Sequence, residues 1–386
     1  MRVIGVGTPG HISRRVLHNP LTEIKLRRTA EAGNLWVAAQ MRTWESSPPT
    51  VISWFPTGAT TAAVATPAPA GKITPHTPIT LTFSKPVAKV LGANRPPVTP
   101  AGSGSWHTIN AHTIRFVPEG YGYGLGAAVS IPLPNGVHLV GGATNGTSTT
   151  GNWSVPNGST LRLQQLLAQL GYLPLKFKGK HVALTPEAQE TAAISPPKGS
   201  LDWKYPNVPD GLRGLWSPGA SGVITQGAIM AFQNDHGFTT VDGQAGPQVW
   251  KSLIAAVDQH KVSTFGYSWV TVSLSGQNLS LWHNGKDVIT GTPVNTGISS
   301  RPTAPGTFPV YSHLRVTTMS GTNPDGSQYD DPGIQFVSYF NGGDALHAFT
   351  RAQYGFPQSL GCVEMPLGPA GTVWPYTPIG TIVHVA

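Results

Sequence analysis

The chain has 386 residues, of which 39% are apolar and 11% charged, and it contains 46 glycines and 36 prolines. Glycine and proline together lie well above their usual share of about 12%, so turn-rich β structure is favoured over long helices. The 11 Trp, 10 Tyr and 12 Phe exclude a chain that is disordered throughout. No run of about 18 apolar residues occurs, so the sequence predicts no transmembrane helix.

The formal net charge is +8 at pH 7, and most of the surplus lies in the first 42 residues. Because the remaining chain is close to neutral, it lacks the concentrated basic face that nucleic-acid binding requires, and we expect no nucleic-acid partner. The charge is compatible with a weak attraction to anionic wall polymers or lipid headgroups. The single cysteine excludes an intramolecular disulfide. No metal-ligand spacing is found, so no metal is expected.

The N-terminal half is organised around short strands. Residues 1–56 have no assigned role, and no apolar core followed by a small-residue cleavage site marks a secretory signal near the start. Residues 57–71 are small, polar or proline, which predicts a linker or long loop. Alternating runs such as Ile79–Phe83, separated by turn clusters, predict a β-sandwich over residues 72–155. This segment resembles a bacterial immunoglobulin-like module, and the absence of a catalytic constellation favours a spacer.

Helical periodicity begins after residue 158. Leucines recur at spacings of three and four between residues 163 and 170, after Ser159 or Thr160 as N-cap and before Gly171. The sequence therefore predicts a short amphipathic helix.

Two more helices are predicted, one from Thr225 to near Gly237 and one that opens with Pro247. The string LQQLLAQLGYL…TQGAIMAFQNDHGFTTVDGQAGPQVWKSL resembles the three-helix peptidoglycan-binding domain of bacterial wall enzymes. The resemblance implies a helical domain over residues 158–262 that binds peptidoglycan. An insertion, residues 176–222, interrupts it.

Residues 265–386 return to strand patterns and predict a compact β domain. Alternating apolar runs on both sides of Asn284-Gly285 predict a hairpin. Further strands are predicted at 288–294, 306–310, 334–339 and 381–385.

The last domain contains one constellation that could carry chemistry. Cys362 lies in the string SLGCVEM, 15 residues after His347. A free thiol, with a pKa of about 8.5, needs a base to become the nucleophilic thiolate. An imidazole with a pKa of about 6.5 can take that proton and return it to a leaving amine. Amide N–H groups around Gly361 can stabilise an oxyanion. Among 13 histidines, however, this spacing alone is weak evidence.

The strings WVTVSLSGQNLSLWHNGKDVITGTPVNTG…RPTAPGTFPV and YFNGGDALHAFTRAQYGFPQSLGCVEMP resemble the YkuD-type L,D-transpeptidase catalytic domain over about 120 residues. The resemblance implies that Cys362 is the nucleophile and His347 its base. It further implies that the amides of Leu360, Gly361 and Cys362 form the oxyanion hole. Ser359 would hold the nucleophile loop or contact the substrate.

The resemblance also implies a reaction. The thiolate attacks the third residue of a peptidoglycan tetrapeptide stem and expels D-Ala, and an amine of a neighbouring stem then accepts the acyl group in a 3→3 cross-link. Water as acceptor would give an L,D-carboxypeptidase. Family members need no metal or organic cofactor, and carbapenem-type inhibitors acylate some of them.

Two residues depart from the family pattern. Leu360 stands where His or Lys is usual, and Glu364 stands where many members have Arg or Asn. These departures favour the alternative that the chain is a non-catalytic peptidoglycan-binding or structural wall protein.

Four other residues near the site are weaker candidates. Arg351 is a candidate for holding a substrate carboxylate, against the alternative of a solvated loop residue. Tyr339 and Tyr354 are candidates for lining the cleft, against core or rim packing. Asp344 is a candidate for orienting His347, against a role in a turn.

These observations predict a multidomain, mainly β protein. It would contain an immunoglobulin-like β-sandwich, a small three-helix peptidoglycan-binding bundle and a C-terminal β-rich catalytic domain of the YkuD type. The expected partners are peptidoglycan stem peptides and glycan, and the expected location is extracytoplasmic, in a bacterial cell envelope.

Overall fold

The computed structural model describes residues 2–8, 11–17, 32–42, 45–48, 50–58, 60–141, 144–145 and 148–386. The rest of the predicted N-terminal segment 1–56, and residue 59 of the predicted linker, lie outside the described residues. The chain divides into two compact units, Met1–Asn157 and Gly158–Ala386. Strands predominate over helices in both, which confirms the predicted fold class. Within the described residues, no helix is long and apolar enough to cross a membrane.

The first unit begins with a five-stranded antiparallel sheet. Its strands are β1 (Arg2–Thr8), β2 (His11–Leu17), β3 (Gly33–Arg42), β4 (Glu45–Ser46) and β5 (Thr50–Trp54). Strand β3 pairs with β1, β4 and β5, and β1 also pairs with β2.

The remainder of the first unit surrounds one apolar core. Its elements are β6 (Thr61–Thr66), β7 (Ile79–Phe83), α1 (Val87–Val90), β8 (Gly104–Asn110), β9 (Thr113–Pro118), β10 (Ala128–Pro132), β11 (Val137–Gly141), β12 (Thr144–Asn145) and β13 (Thr150–Ser154). One sheet has the strand order β12-β11-β6-β7-β9-β8, and β10 pairs with β13. Side chains of both, including Ile79 and Ile131, fill the core. The assignment to the immunoglobulin-like family stays a prediction.

The prediction of a linker or long loop over residues 57–71 was wrong for residues 61–66, which form β6. This strand pairs with β7 on one side and β11 on the other, inside the six-stranded sheet. Residues 62–65 are all buried. A strand covered on both faces shows no polar alternation. Its small residues, which had indicated a flexible segment, instead fit close packing.

The second unit opens with helices. Its first elements are α2 (Thr160–Gln169), β14 (Leu175–Gly179), α3 (Pro186–Ile194), β15 (Gly199–Trp203), α4 (Asp210–Leu215), α5 (Val223–Asp235) and α6 (Pro247–Asp258). The three predicted helices correspond to α2, α5 and α6, and the Ser159 hydroxyl caps α2. The insertion 176–222 holds α3, α4 and most of the antiparallel strand pair β14–β15.

A buried glutamine ties this insertion to the helices. Gln164 of α2 is fully buried, and its Nε2 lies within hydrogen-bond distance of the Ser217 and Ala220 carbonyls and the Thr225 hydroxyl. Its Oε1 accepts the Gly219 N–H at 2.7 Å. One amide side chain therefore satisfies backbone groups of the insertion and a side chain of α5.

We predict that Gln164→Leu lowers the free energy of unfolding by about 1–3 kcal/mol, because it leaves backbone groups of the insertion without partners. Urea denaturation followed by circular dichroism measures the change. Gln169→Leu, at an exposed position of the same helix, is the control. Equal destabilisation by the two variants would contradict the bridging role.

The rest of the second unit consists of two packed sheets. The elements are β16 (Ser268–Ser273), β17 (Asn278–His283), β18 (Lys286–Pro293), β19 (Gly306–Pro309), β20 (Ser312–Thr322), β21 (Gln328–Asn341), β22 (Asp344–Ala348), β23 (Val363–Met365), α7 (Leu367–Val373), a 3₁₀ turn (Trp374–Tyr376) and β24 (Ile382–Val385). The sheet orders are β18-β17-β16-β24-β19 and β20-β21-β22-β23. Val270 and Leu281 of the first sheet share one core with Leu346 and Val363 of the second. This core holds the second sheet in place.

Candidate active site

The parallel pairing of β22 with β23 sets the chain positions of the two predicted catalytic residues. Leu346 is opposite Val363 and both face the core, whereas His347 is opposite Glu364. Because side chains alternate along a strand, His347 and Glu364 point to the other face. Cys362 directly precedes β23 and packs against the small apolar cluster that contains Ala345 of β22. Continued by one residue, the register sets Cys362 opposite Ala345 and diagonal to His347.

The turn that precedes the cysteine depends on Ser359 and Gly361. The Ser359 hydroxyl donates to the Cys362 carbonyl at 2.6 Å and accepts the Gly361 N–H at 3.3 Å. Gly361 has φ +123°, and a Cβ there would lie 2.4 Å from Oδ1 of Asp344. Only glycine fits this turn without strain. Ser359 thus holds the loop, one of its two expected roles.

The imidazole of His347 is held as one tautomer. The ring is buried, and its Nδ1 lies 3.0 Å from the carbonyl oxygen of Ala348. A carbonyl can only accept, so Nδ1 carries the proton and Nε2 presents its lone pair. Burial lowers the pKa of His347, which keeps the ring neutral and able to accept a proton near pH 7.

The thiol of Cys362 is protonated at rest. Its Sγ donates to the Gly343 carbonyl at 3.5 Å, and no hydrogen bond joins it to His347 among the described residues. Burial raises the pKa of Cys362 to about 12; the Ala345 N–H opposes the shift, and the carboxylates of Asp344 and Glu364 add to it. The site therefore differs from the expected resting thiolate. A neutral thiol must lose its proton during attack.

The three predicted oxyanion donors differ in their hydrogen bonding. The Gly361 N–H already donates to Ser359, but those of Leu360 and Cys362 donate to no backbone carbonyl within the described chain. Backbone amides beside a nucleophile suit a developing oxyanion, since they need no reorganisation when charge appears.

Arg351 binds a carboxylate of its own chain. Its Nη2 and Nε lie 2.7 and 2.8 Å from the two carboxylate oxygens of Glu364, a bidentate pair. Glu364 is 4% exposed, so water screens the pair weakly. Arg351 is thus paired within its own chain rather than solvated, and a role in holding a substrate carboxylate stays a prediction. The opposite charges at 351 and 364 were the sequence signal for this pair.

The candidate tyrosines have different surroundings. Tyr339 packs in the small apolar cluster that includes Cys362. The pKa of Tyr339 is raised, first by burial and then by negative charge on Cys362. Tyr354 instead donates to the Phe349 carbonyl at 2.5 Å and accepts the Arg351 N–H at 3.2 Å. Tyr354 stabilises the loop between His347 and Cys362.

Sequence reasoning missed two tyrosines near the thiol. Burial and then the charges of Asp344 and Cys362 raise the pKa of Tyr311, and burial and then Cys362 raise that of Tyr329. The long β20–β21 hairpin brings Tyr329 to the site from 33 residues away in the chain. No local sequence motif marks Tyr311 or Tyr329, because their positions depend on the pairing of strands that are distant in the chain.

Asp344 does not orient His347. Its carboxylate accepts the Ala304 N–H at 3.2 Å and the Asn341 amide at 3.5 Å. Its Oδ1 also lies against Gly361. Asp344 therefore belongs to the turn beside the nucleophile. Among the residues that the structure describes, no cluster of His, Cys, Asp or Glu could hold a metal.

Two segments of the second unit match family models. Residues 267–385 match the family model of the L,D-transpeptidase catalytic domain, YkuD, and residues 206–253 match that of a peptidoglycan-binding domain. The protein therefore contains a YkuD catalytic domain and a peptidoglycan-binding domain, as the sequence resemblance implied. Both domains act in peptidoglycan metabolism, which implies a cell-wall or envelope location.

Similar solved structures are also L,D-transpeptidases. L,D-transpeptidase 3 from Mycobacterium tuberculosis is 12% identical over 83% of this chain and 97% of its own, with a TM-score of 0.28. The Mycobacterium smegmatis enzyme is 11% identical over 83% and 96%, also at 0.28. The E. faecium catalytic domain is 24% identical over 32% and 100%, at 0.29. No curated protein matches the chain.

The raised thiol pKa predicts a distinctive alkylation profile. With a pKa of about 12, the iodoacetamide rate of folded Cys362 should rise about tenfold per pH unit between about pH 8 and 10, because the thiolate fraction does so. The same cysteine in urea should level off near its ordinary pKa of about 8.5. A plateau below about pH 9 in the folded protein would contradict the neutral resting thiol.

The lowered pKa of His347 predicts a loss of stability in acid. Below about pH 6.5 the unfolded chain binds a proton on this ring that the folded protein does not, so the free energy of unfolding falls as pH decreases. His347→Gln should reduce the difference between urea denaturation curves at about pH 7.5 and 5. An unchanged difference in His347→Gln would refute the assignment.

Proposed function

We propose that the protein is a bacterial cell-wall L,D-transpeptidase that forms 3→3 cross-links through an acyl-enzyme on Cys362. The observation that supports the proposal is the register of β22 and β23, which sets His347 opposite Glu364, two residues after Cys362. The match of this domain to the YkuD family supports it. We further propose that the enzyme acts outside the cytoplasm, where its polymeric substrate lies.

In the first half-reaction, Sγ attacks the carbonyl carbon of the third residue of a tetrapeptide stem while its proton moves to Nε2 of His347. The S–C bond forms, and the amides of Leu360 and Cys362 donate to the oxyanion. When the intermediate collapses, the C–N bond to D-Ala breaks and the nitrogen takes the proton from Nε2. A thioester and free D-Ala result.

In the second half-reaction, the side-chain amine of a neighbouring stem attacks the thioester. His347 accepts a proton from the amine, the new C–N bond forms, and the departing sulfur takes the proton. The product joins two third residues, and the free thiol is restored. Water in place of the amine gives hydrolysis, which is the L,D-carboxypeptidase alternative.

The helical domain supports this function by holding the substrate polymer. A domain that binds peptidoglycan, on the same chain as the catalytic domain, raises the effective concentration of stem peptides and glycan near Cys362. The net charge of +8 supports a weak attraction to anionic wall polymers. A carbapenem presents a strained acyl group to the same thiol, so we propose these inhibitors as covalent ligands.

A second function has its own support. The high pKa of Cys362, the apolar Leu360 and the internal Arg351–Glu364 pair are features that a non-catalytic peptidoglycan-binding wall protein could also carry. Here the domain would keep the fold and bind peptidoglycan without forming an acyl-enzyme.

We predict that a carbapenem adds its mass to Cys362, and that defined disaccharide-tetrapeptides are converted to 3→3 dimers. Cys362→Ala should abolish both, and His347→Ala should slow cross-linking by about 10²–10⁴-fold, as expected when a general base is lost. Intact-protein and product mass spectrometry measure the outcomes, with folding checked by circular dichroism.

The products separate the alternatives. Tripeptide without dimer indicates the carboxypeptidase, and the absence of adduct and product, with the thiol still titratable, indicates the wall-binding protein. Dimer formation by Cys362→Ala would remove the enzymatic proposal.

A further inference from the structure

A buried arginine in the helical domain is bound only by neutral groups among its hydrogen-bond partners in the described chain. Arg162 of α2 is 1% exposed. Its Nη1 donates to Oε1 of Gln165 at 3.2 Å, and its Nη2 donates to Oε1 of Gln189 at 2.8 Å. Its Nε is buried without a hydrogen-bond partner. Burial lowers the pKa of Arg162 to about 10, which still leaves the guanidinium charged at neutral pH.

Glu190 is the acid next in sequence to one of these partners. Glu190 follows Gln189 on α3 and is buried. Burial raises its pKa to about 8, so most of its population is protonated near pH 7. A buried cation without a full negative partner is costly, because it has lost its hydration. An anion that reaches Arg162 would recover part of this cost.

A cavity leads to Arg162 from the surface. It has a volume of about 230 Å³ and is lined by Arg162 and Gln189 together with the exposed His181, His260 and Val262. Its other lining residues are Gln169 and four aliphatic side chains, so none of its described lining is acidic. An anion entering this cavity meets donors and apolar surface but no repelling carboxylate.

We propose that this cavity binds the C-terminal carboxylate of a peptidoglycan stem peptide, with Arg162 as its charged partner. The carboxylate would accept from the guanidinium, and the aliphatic lining would pack on the methyl group of a terminal D-Ala. A phosphate of a wall polymer shares the oxyanion chemistry. The peptide is favoured because the cavity offers apolar surface beside the guanidinium, and because the neighbouring residues 206–253 match a peptidoglycan-binding domain.

This inference rests on the proposed peptidoglycan-directed function and assigns it a subsite. The insertion builds that subsite, because Gln189 and His181 both lie within residues 176–222. The segment that interrupts the bundle therefore supplies one wall of the cavity.

The test uses the full-length Cys362→Ala protein, which cannot turn the peptide over through the proposed nucleophile. Three probes are titrated: a soluble tetrapeptide stem ending in D-Ala, the same peptide with a C-terminal amide, and inorganic phosphate. The Nε–H resonance of Arg162 in ¹⁵N-labelled protein reports binding at this site. We expect the free acid to shift this resonance saturably and the amide to bind at least about tenfold more weakly, as for loss of a charge-assisted hydrogen bond.

Three variants distinguish binding in the cavity from general electrostatic attraction. Arg162→Met should weaken the calorimetrically measured binding of the free acid by at least about tenfold. Val262→Trp, which fills the rim at a 58% exposed position and so preserves folding, should do the same. Lys176→Gln removes a positive charge from an exposed position of β14 and should change the affinity by less than about twofold.

Three results would overturn the proposal. They are equal binding of the acid and the amide, a resonance shift with phosphate but not with the peptide, and unchanged peptide affinity in Val262→Trp. The carbapenem adduct on wild-type Cys362 is measured independently. Failure at Arg162 with an adduct at Cys362 would therefore refute the subsite and leave the catalytic proposal standing.

Discussion

Hydrogen bonding between two short parallel strands, β22 and β23, sets the geometry on which the candidate site depends. The register places Leu346 and Val363 in the core, and the alternation of side chains then directs His347 and Glu364 to the other face. A shift of one residue would turn these aliphatic residues out of the core and direct the imidazole into it. The apolar core between the two sheets thus specifies the site, because only one register buries both aliphatic residues.

The same burial acts in opposite directions on the two groups of the site. A low-dielectric surrounding disfavours every charged form, so it lowers the pKa of His347 and raises that of Cys362. The bidentate Arg351–Glu364 pair beside them is neutral as a whole, and its two charges oppose each other at the imidazole. At rest, Cys362 is therefore a neutral acid and His347 a neutral base. We expect charges to form only when a substrate is attacked, since the amides of Leu360 and Cys362 can then stabilise the oxyanion.

In the helical domain, buried amide side chains hold segments together through hydrogen bonds. Gln164 satisfies backbone groups of the insertion, and Gln165 and Gln189 accept from Arg162. Amide side chains can donate and accept at once, so they can anchor an irregular segment without adding charge. The consequence is that the insertion is packed as part of the domain and also encloses a guanidinium. Arg162 and Gln189 therefore take part both in the packing of the insertion and in the candidate binding site.

The amino-acid sequence by itself determined the mainly β architecture and the three helices of the bundle, and it marked Cys362 and His347 as the candidate catalytic residues. These rest on local periodicity, capping, turn residues and motif strings. Only the tertiary structure decided that residues 61–66 form a central strand, that Arg351 binds Glu364, and that Tyr311 and Tyr329 approach the thiol. It also decided that the thiol is neutral at rest. Each of these depends on strand register or on burial, and such long-range properties arise from packing between segments that no local pattern encodes.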